Sequence, residues 1–314
     1  MEIVYEGCLR DWQHNFNFDP SFGLNLDQLL ESPVAKAPID LTEFWQTTYA
    51  LNQKIEAQPI IEAQWDKQGF NIKQLRYETW GGFMGGAWLL TPLGGEVHRG
   101  IVVGHGYGGR DEPNVDLGIK NTAYIFPVAR GFHISPNYQN LNNNNAMQHV
   151  VHGLESKEQY IIRGCVAEIW TALTVLHKLV PETQEYSHYW GESFGGGLGA
   201  LALPWDKRFG SAYLGIPTFG DQARRLKVNC EGSGKALYKR GRYHPELIEV
   251  LKYFDASSCA ALIDNPLFMN VALFDPAVIP PCQFSVLNAV KAPTKVFIRS
   301  AGHFEYPQQE QENK

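Results

Sequence analysis

The sequence predicts an α/β fold, in which a mostly parallel central sheet carries helices on both faces and an N-terminal helical extension packs on the core. Short apolar runs bounded by turn residues recur along the chain, and helical patterns separate them. Such runs are what a parallel sheet covered on both faces requires. A sharp turn with glycines two positions either side of a serine then marks the edge of the sheet that would carry the chemistry.

The first 70 residues look helical and peripheral, and we expect them to form the extension (residues 1–70). Within them, Ile39–Trp45 opens with Asp40 or Thr42 as an N-cap and continues with apolar residues at helical spacing. From about residue 71 the apolar period changes, and residues 71–314 are predicted to form a single catalytic domain. Two strands, around Ile72–Tyr77 and Trp88–Leu90, flank a glycine-rich turn.

The remaining strands of the sheet are predicted from short apolar bursts. These are Ile101–Gly104, Ala123–Pro127, Ala212–Gly215, Phe268–Leu273 and Lys295–Arg299. A covering helix is predicted over Val166–Leu176. Because open α/β sheets place their chemistry beyond the carboxyl ends of the strands, the loops that follow these bursts are the candidate site.

Composition restricts the class of protein. The 314-residue chain is 44% hydrophobic and 19% charged, which is ordinary for a globular protein of one large domain or two small ones. Its formal net charge of −6 comes without a basic cluster, so we expect no nucleic-acid partner.

Targeting and thiol signals favour the cytoplasm. Met1–Gly7 lacks a basic start followed by an apolar core, and no apolar run is long enough to span a bilayer. We therefore expect a cytoplasmic protein with no membrane partner. The five cysteines are odd in number and scattered without CxxC spacing, which indicates reduced thiols rather than a zinc site or a disulfide framework.

The turn Gly191–Gly195 has the pattern of a nucleophile elbow. Tyr186–Trp190 reads as the buried strand before it, and Gly196–Leu203 as the tightly packed start of a helix after it. In such a strand-to-helix turn only glycines fit two residues either side of the serine, whose hydroxyl is pushed out above the sheet. The helix N-terminus beneath favours developing negative charge. Ser193 is therefore predicted to be a nucleophile.

A serine hydroxyl needs a histidine to take its proton and an acid to orient that histidine. In α/β-hydrolases the chain order is serine, acid, histidine. His303 lies in a small-residue loop directly after a predicted strand, and Asp275 follows the preceding strand. Asp255 and Asp264 are the competing acids, but they lie at the wrong end of a strand or after a helix, where helix capping is the expected role.

An oxyanion hole needs two backbone N–H groups aimed at the substrate carbonyl. One is expected from Phe194, the residue after the nucleophile, and the other from the glycine-rich loop Gly104–Arg110. His105 lies in this loop, and we expect it to be structural rather than catalytic.

With these motifs, the chain resembles the acetyl xylan esterase / cephalosporin C deacetylase family of α/β-hydrolases (carbohydrate esterase family 7), from about Leu24 to its end. The segments that carry the resemblance are Asp40–Trp45, Gly106–Arg110, Arg130-Gly131, Gly191–Gly197, Tyr253–Asp255, Phe274-Asp275 with Pro280-Pro281, and Gly302-His303.

The resemblance implies that Ser193, Asp275 and His303 form a triad, and that the N–H groups of Tyr107 and Phe194 form the oxyanion hole. Family members remove acetyl groups from xylo-oligosaccharides and from cephalosporin C without metal or cofactor. Several assemble as ring-shaped hexamers, which leaves a homo-oligomer open to this chain.

This chain departs from the family pattern at aromatic positions. Phe194 and Phe132 stand where the family usually has glutamine, and Phe304 separates His303 from the glutamate that usually follows the histidine. Arg130 is expected to pack under the elbow and pair with an acidic group, a structural role.

The preferred function is a serine carboxylesterase that hydrolyses acetyl or other short acyl esters of sugar-like small molecules through an acyl-enzyme. A peptidase or amidase on the same fold stays open, because esters and amides share the triad. A binding protein with an inactive site is the third alternative.

Overall fold

In the computed structural model, which describes residues 1–141, 144–307 and 309–312, ten strands form one sheet. In chain order they are β1 (Glu2–Glu6), β2 (Ile60–Lys67), β3 (Phe70–Thr79), β4 (Phe83–Pro92), β5 (Arg99–Val103), β6 (Thr122–Val128), β7 (Ser187–Glu192), β8 (Phe209–Gly215), β9 (Leu267–Ala272) and β10 (Thr294–Arg299). Every strand that the apolar bursts predict is present, within a few residues of its expected bounds.

The order of strands across the sheet is β1-β10-β9-β8-β7-β5-β6-β4-β3-β2. The strands from β1 to β6 in this order pair in parallel, whereas β4, β3 and β2 add an antiparallel edge. The α/β class and the mostly parallel sheet are thereby confirmed. The parallel part directs the carboxyl ends of β5, β7, β9 and β10 to one edge, where the chemistry was expected.

The α-helices of the described residues differ widely in length. They are α1 (Leu26–Leu30), α2 (Leu41–Asn52), α3 (Ala146–His149), α4 (Ile161–Leu179), α5 (Phe194–Ala202), α6 (Gln222–Arg225), α7 (Gly234–Gly241), α8 (Ile248–Leu251), α9 (Ala256–Ala260), α10 (Pro280–Ala289) and α11 (Gln309–Glu312). Among these residues no helix is long and apolar enough to cross a membrane.

Helix cover is concentrated on one face of the sheet. Helices α4, α5, α9 and α10 contact one another in series and lie against β6, β7, β8 and β9. On the opposite face the segment 104–121 follows β5 without forming a helix, and it is rich in glycine, proline, asparagine and aspartate. These residues favour turns over helix, which agrees with the irregular backbone of this segment. Trp190, Tyr213 and Phe268 are cross-strand neighbours on that face, and Phe268 is 38% exposed.

The predicted N-terminal helix is α2, and it packs on α4. Its Trp45 is fully buried, lies edge-to-face with Trp170 of α4 at 6.2 Å, and donates its indole N–H to the Tyr253 carbonyl at 2.9 Å. Asp40 occupies the N-cap position but makes no capping hydrogen bond, because its carboxylate binds Tyr253 and Lys157 instead.

Residues 1–70 are less helical than expected. Besides α1 and α2 they contribute β1, which pairs in parallel with β10, and β2, which pairs antiparallel with β3. Both are edge strands whose side chains are exposed along their whole length. Exposed strands need no apolar alternation, so the pattern that reveals a buried strand is missing from them. The division into an extension and a catalytic domain stays a prediction.

Candidate active site

The turn between β7 and α5 has the backbone of a nucleophile elbow. Ser193 has φ 53° and ψ −112°, a left-handed conformation that costs a non-glycine residue roughly 1–3 kcal/mol. A Cβ added to Gly191 would lie 2.5 Å from the carbonyl carbon and oxygen of Gly195. One added to Gly195 would lie 3.0 Å from the carbonyl carbon of Gly104. The glycines that flank the serine are therefore required by close backbone contacts, as the sequence predicts.

The structure brings the three predicted triad residues together. Nε2 of His303 lies 3.1 Å from Oγ of Ser193. Nδ1 of His303 lies 2.8 Å from Oδ2 and 3.1 Å from Oδ1 of Asp275. Each distance allows a hydrogen bond, so one imidazole can take a proton from the hydroxyl while a carboxylate holds its other nitrogen.

Asp275 is fully buried, and hydrogen bonds hold its carboxylate from the far side. Oδ1 accepts the backbone N–H groups of Ala277 at 2.8 Å and Val278 at 2.9 Å. Oδ2 accepts a hydrogen bond from Nε2 of Gln283 at 3.0 Å. The side-chain oxygen of Gln283 in turn accepts a hydrogen bond from the backbone N–H of Ala272. Gln283 is a supporting residue that sequence reasoning missed, since a lone glutamine in a helix has no distinguishing pattern.

His303 has the properties of a general base. Burial lowers its pKa, but the charge of Asp275 and the hydrogen bond to it outweigh burial, so its pKa lies above its ordinary value. Glu192 raises this pKa further, and Arg299 opposes the rise. The residue has φ 44°, so its backbone, like that of Ser193, is held in the left-handed region.

The two amides predicted for an oxyanion hole are available. Within the described residues neither the Phe194 N–H nor the Tyr107 N–H has a backbone acceptor. Phe194 is the first residue of α5, where the helix dipole places partial positive charge. The rings of Tyr107 and Phe194 stack at 4.0 Å, which fixes the two residues relative to each other.

A cavity of about 280 Å³ opens beside the serine. Its walls are small or uncharged groups, with His303 at one side: Gly106, Tyr107, Gly108, Ser193, Thr218, Gly232, Ser233, Ala277, Val278 and His303. The predicted nucleophile, base and one oxyanion residue therefore face the same space.

The other residues singled out from the sequence have structural contacts. His105 is buried, binds the Gly106 carbonyl through Nδ1 at 2.7 Å, and accepts the Ala129 N–H through Nε2 at 3.0 Å. Burial lowers its pKa to about 4, so it is neutral near pH 7. Buried Arg130 pairs through Nε with Glu168 at 2.8 Å, as expected.

The two acids that competed with Asp275 in the sequence analysis, Asp255 and Asp264, bind other partners. Asp255 caps α9 by accepting the Ser257 N–H at 3.0 Å. Asp264 caps no helix and instead pairs with Lys207 at 2.8 Å on the surface. Among the described residues, no three His, Cys, Asp or Glu side chains are grouped so that they could hold a metal ion.

Comparison with known proteins agrees with this geometry. The model of the acetyl xylan esterase (AXE1) family matches residues 20–314. The chain belongs to the acetyl xylan esterase family. It is accordingly a carboxylic ester hydrolase with the α/β-hydrolase fold.

Solved structures show the same fold. The acetyl xylan esterase from Paenibacillus sp. R4 is 22% identical, with 92% of this chain and 97% of that chain covered and a TM-score of 0.76. Acetyl xylan esterase 1 from Thermoanaerobacterium sp. JW/SL YS485 is 18% identical, with 94% and 96% covered and a TM-score of 0.79. An acylaminoacyl peptidase from Pyrococcus horikoshii, 15% identical with a TM-score of 0.58, is matched over 75% of this chain and only 38% of its own length.

Proposed function

We propose that this enzyme removes acetyl and other short acyl groups from hydroxyls of xylo-oligosaccharides or similar small molecules, with Ser193, His303 and Asp275 as its catalytic triad. The observation that carries the proposal is the continuous chain of hydrogen bonds from the Ser193 hydroxyl through His303 to Asp275, in a member of the acetyl xylan esterase family.

The first half of the reaction forms an acyl-enzyme. As Oγ of Ser193 attacks the ester carbonyl carbon, Nε2 of His303 takes the hydroxyl proton. The carbonyl oxygen becomes negatively charged and accepts the N–H groups of Tyr107 and Phe194. When the bond to the leaving oxygen breaks, His303 gives the proton to that oxygen, and the alcohol leaves.

The second half regenerates the serine. Water attacks the acyl carbon while His303 takes one of its protons, and the tetrahedral intermediate again places its charge on the two amides. The bond between the acyl carbon and Oγ then breaks, and Oγ takes the proton back from His303. Asp275 stays ionised throughout and stabilises the imidazolium that forms twice in each cycle.

The lining of the cavity, which has a volume of about 280 Å³, supports a short acyl group on a sugar. Ala277 and Val278 offer apolar walls for a methyl group, whereas Thr218 and Ser233 carry hydroxyls that suit a sugar.

A substrate panel tests the proposal. We expect p-nitrophenyl acetate to be hydrolysed with a higher kcat/KM than the butyrate and octanoate esters, and acetylated xylo-oligosaccharides and cephalosporin C to be deacetylated. Faster cleavage of peptide amides than of acetyl esters would favour the amidase alternative. Failure of a fluorophosphonate probe to label Ser193 would favour an inactive site.

We also propose a cytoplasmic location, a small-molecule ester as the partner, and assembly into a homo-oligomer. All five cysteines are unpaired, and four are buried, which suits a reducing compartment. Light scattering coupled to size-exclusion chromatography tests the assembly, and a mass equal to one chain would contradict it.

A further inference from the structure

An aromatic residue stands at every second position between Trp12 and Phe18, a segment that we call the aromatic strap. Trp12, His14, Phe16 and Phe18 are partly buried, and the residues between them are exposed. This alternation shows that the strap is extended and packs through one side only. The surface beneath it includes the two loops that carry the acid and the histidine of the site.

The chain just before the strap is attached where the histidine loop begins. After β1, the Gly7 N–H donates to the Ile298 carbonyl at 2.7 Å, and the Cys8 N–H donates to Oγ of Ser300 at 2.9 Å. A Cβ on Gly7 would lie 2.4 Å from the Ser300 nitrogen, so the two backbones are in direct contact. Ser300 is three residues before His303.

Trp12 bridges the two catalytic loops. Its ring lies 5.1 Å from Phe274, the neighbour of Asp275, and 5.9 Å from Phe304, the neighbour of His303. The rings of Phe274 and Phe304 also meet, at 4.9 Å. One indole thus closes a three-ring cluster whose other two members each adjoin a triad residue.

The end of the strap holds the acid loop. Phe18 packs with a buried cluster made of Cys230 and two residues that follow Asp275 in the chain, Ile279 and Cys282. Two residues further, the Pro20 carbonyl accepts the Asp275 N–H at 3.1 Å. The strap and the residues that flank it therefore contact the start of the histidine loop, both loops themselves, and the segment that follows Asp275.

We propose that the aromatic strap is a positioning element that sets the distance between Asp275 and His303; its effect on catalysis rests on the proposed triad. The strap lies outside residues 20–314, the part of the chain that matches the family model. His303 keeps its left-handed backbone only if its surroundings hold it, and the cluster around Trp12 supplies that constraint.

The test compares Trp12→Ala, Trp12→Phe and Phe16→Ala in the full chain. Among the aromatic rings of the described residues after β9 and β10, Phe16 lies near Phe304 alone, whereas Trp12 lies near Phe274, Phe304 and Tyr306. We therefore expect Phe16→Ala to perturb folding less than Trp12→Ala. Tyr243→Ala is the matched control, because Tyr243 is an aromatic residue that is 78% exposed. Circular dichroism selects the temperature at which every variant is folded.

We expect Trp12→Ala to lower kcat for p-nitrophenyl acetate by about 10-fold with little change in KM, since a misplaced base weakens the transition state and not substrate binding. The rate constant for fluorophosphonate labelling of Ser193 should fall in parallel. Trp12→Phe should restore most of kcat and of the labelling rate constant. For Phe16→Ala, both values should lie between those of Trp12→Phe and Trp12→Ala. Equal kcat and labelling rates in the parent and in folded Trp12→Ala would overturn the proposal.

A readout that needs no turnover separates the two proposals. The proton between Nδ1 of His303 and Asp275 gives a downfield NMR resonance, identified by its loss in Asp275→Asn. In Trp12→Ala we expect that resonance to broaden or disappear. The same change is expected if the parent chain proves inactive, and an inactive parent would contradict only the proposed function. An unchanged resonance in Trp12→Ala would contradict the strap proposal whatever the activity.

Discussion

The nucleophile and its two partners are held in place in different ways. Ser193 lies on a turn clamped by nearby backbone: Gly191, Gly195 and Gly104 approach one another so closely that no side chain fits. Asp275 and His303 lie on loops that receive part of their support from the other end of the chain, through Trp12 and Pro20. Ser193 and His303 are both in the left-handed backbone region, yet one is constrained locally and the other by remote side chains.

The comparison indicates where tolerance to change is expected. The elbow should not tolerate added side-chain volume, because its contacts are between backbone atoms within the core. The loops depend on aromatic contacts that a variant can weaken without unfolding the sheet. Variants of the triad should therefore lose activity, whereas variants of the elbow glycines should lose stability.

Ser193→Ala should abolish the proposed chemistry. Without the hydroxyl no acyl-enzyme forms, and loss of a triad nucleophile costs on the order of 10⁶ in kcat. Steady-state hydrolysis of p-nitrophenyl acetate measures this, with Ser156→Ala, outside the cavity, as the matched control. Substantial activity in Ser193→Ala would place the nucleophile elsewhere.

Asp275→Asn keeps the shape of the acid and removes its charge. The imidazole then loses the partner that sets its tautomer, and kcat should fall by about 10⁴-fold. The matched control is Asp264→Asn, which changes a surface pair with Lys207 and should leave kcat unchanged. Equal losses in the two variants would exclude Asp275 from the triad.

Gly191→Ala and Gly108→Ala test the packing of the elbow. A methyl at Gly191 would meet the Gly195 carbonyl at 2.5 Å, whereas at Gly108 it would meet nothing within 4 Å. Urea denaturation should show a loss of about 3 kcal/mol in the free energy of unfolding for Gly191→Ala, an overpacking effect. Gly108→Ala should change it by less than about 0.5 kcal/mol. Equal stabilities would show that the elbow is not tightly packed.

The pH dependence of kcat/KM should report His303. The base must be neutral to accept a proton, so activity falls as the pH drops through its pKa, which lies above the ordinary value of 6.5. Because Glu192 contributes to the raised pKa, Glu192→Gln should move this acid limb to lower pH with little loss at the optimum. An acid limb that stays in place, or moves to higher pH, would contradict the assignment.

The same contrast explains what could be predicted from the sequence. The elbow was predictable because close backbone contact demands glycine, and glycine at fixed spacing around Ser193 is a visible pattern. His303 and Asp275 were predictable from chain order and from their places after β10 and β9. The buried strands were found through their apolar runs.

The features that could not be predicted depend on exposed strands or on contacts between distant parts of the chain. The edge strands β1 and β2 lack an apolar pattern because their side chains are exposed. Gln283 supports Asp275 only because α10 folds back beneath the acid loop. The alternating aromatics of the strap indicate one-sided packing, but the partners Phe274 and Phe304 lie more than 250 residues away in the sequence.

Trapping the acyl-enzyme would identify the residue that attacks the ester. The chain is mixed with p-nitrophenyl acetate, quenched in acid within the first turnover, digested and examined by mass spectrometry. We predict one acetyl group on the peptide that contains Ser193, more of it in Asp275→Asn if deacylation slows more than acylation, and none in Ser193→Ala. Acetyl on another residue, or ester hydrolysis with Ser193 unmodified throughout, would contradict the account.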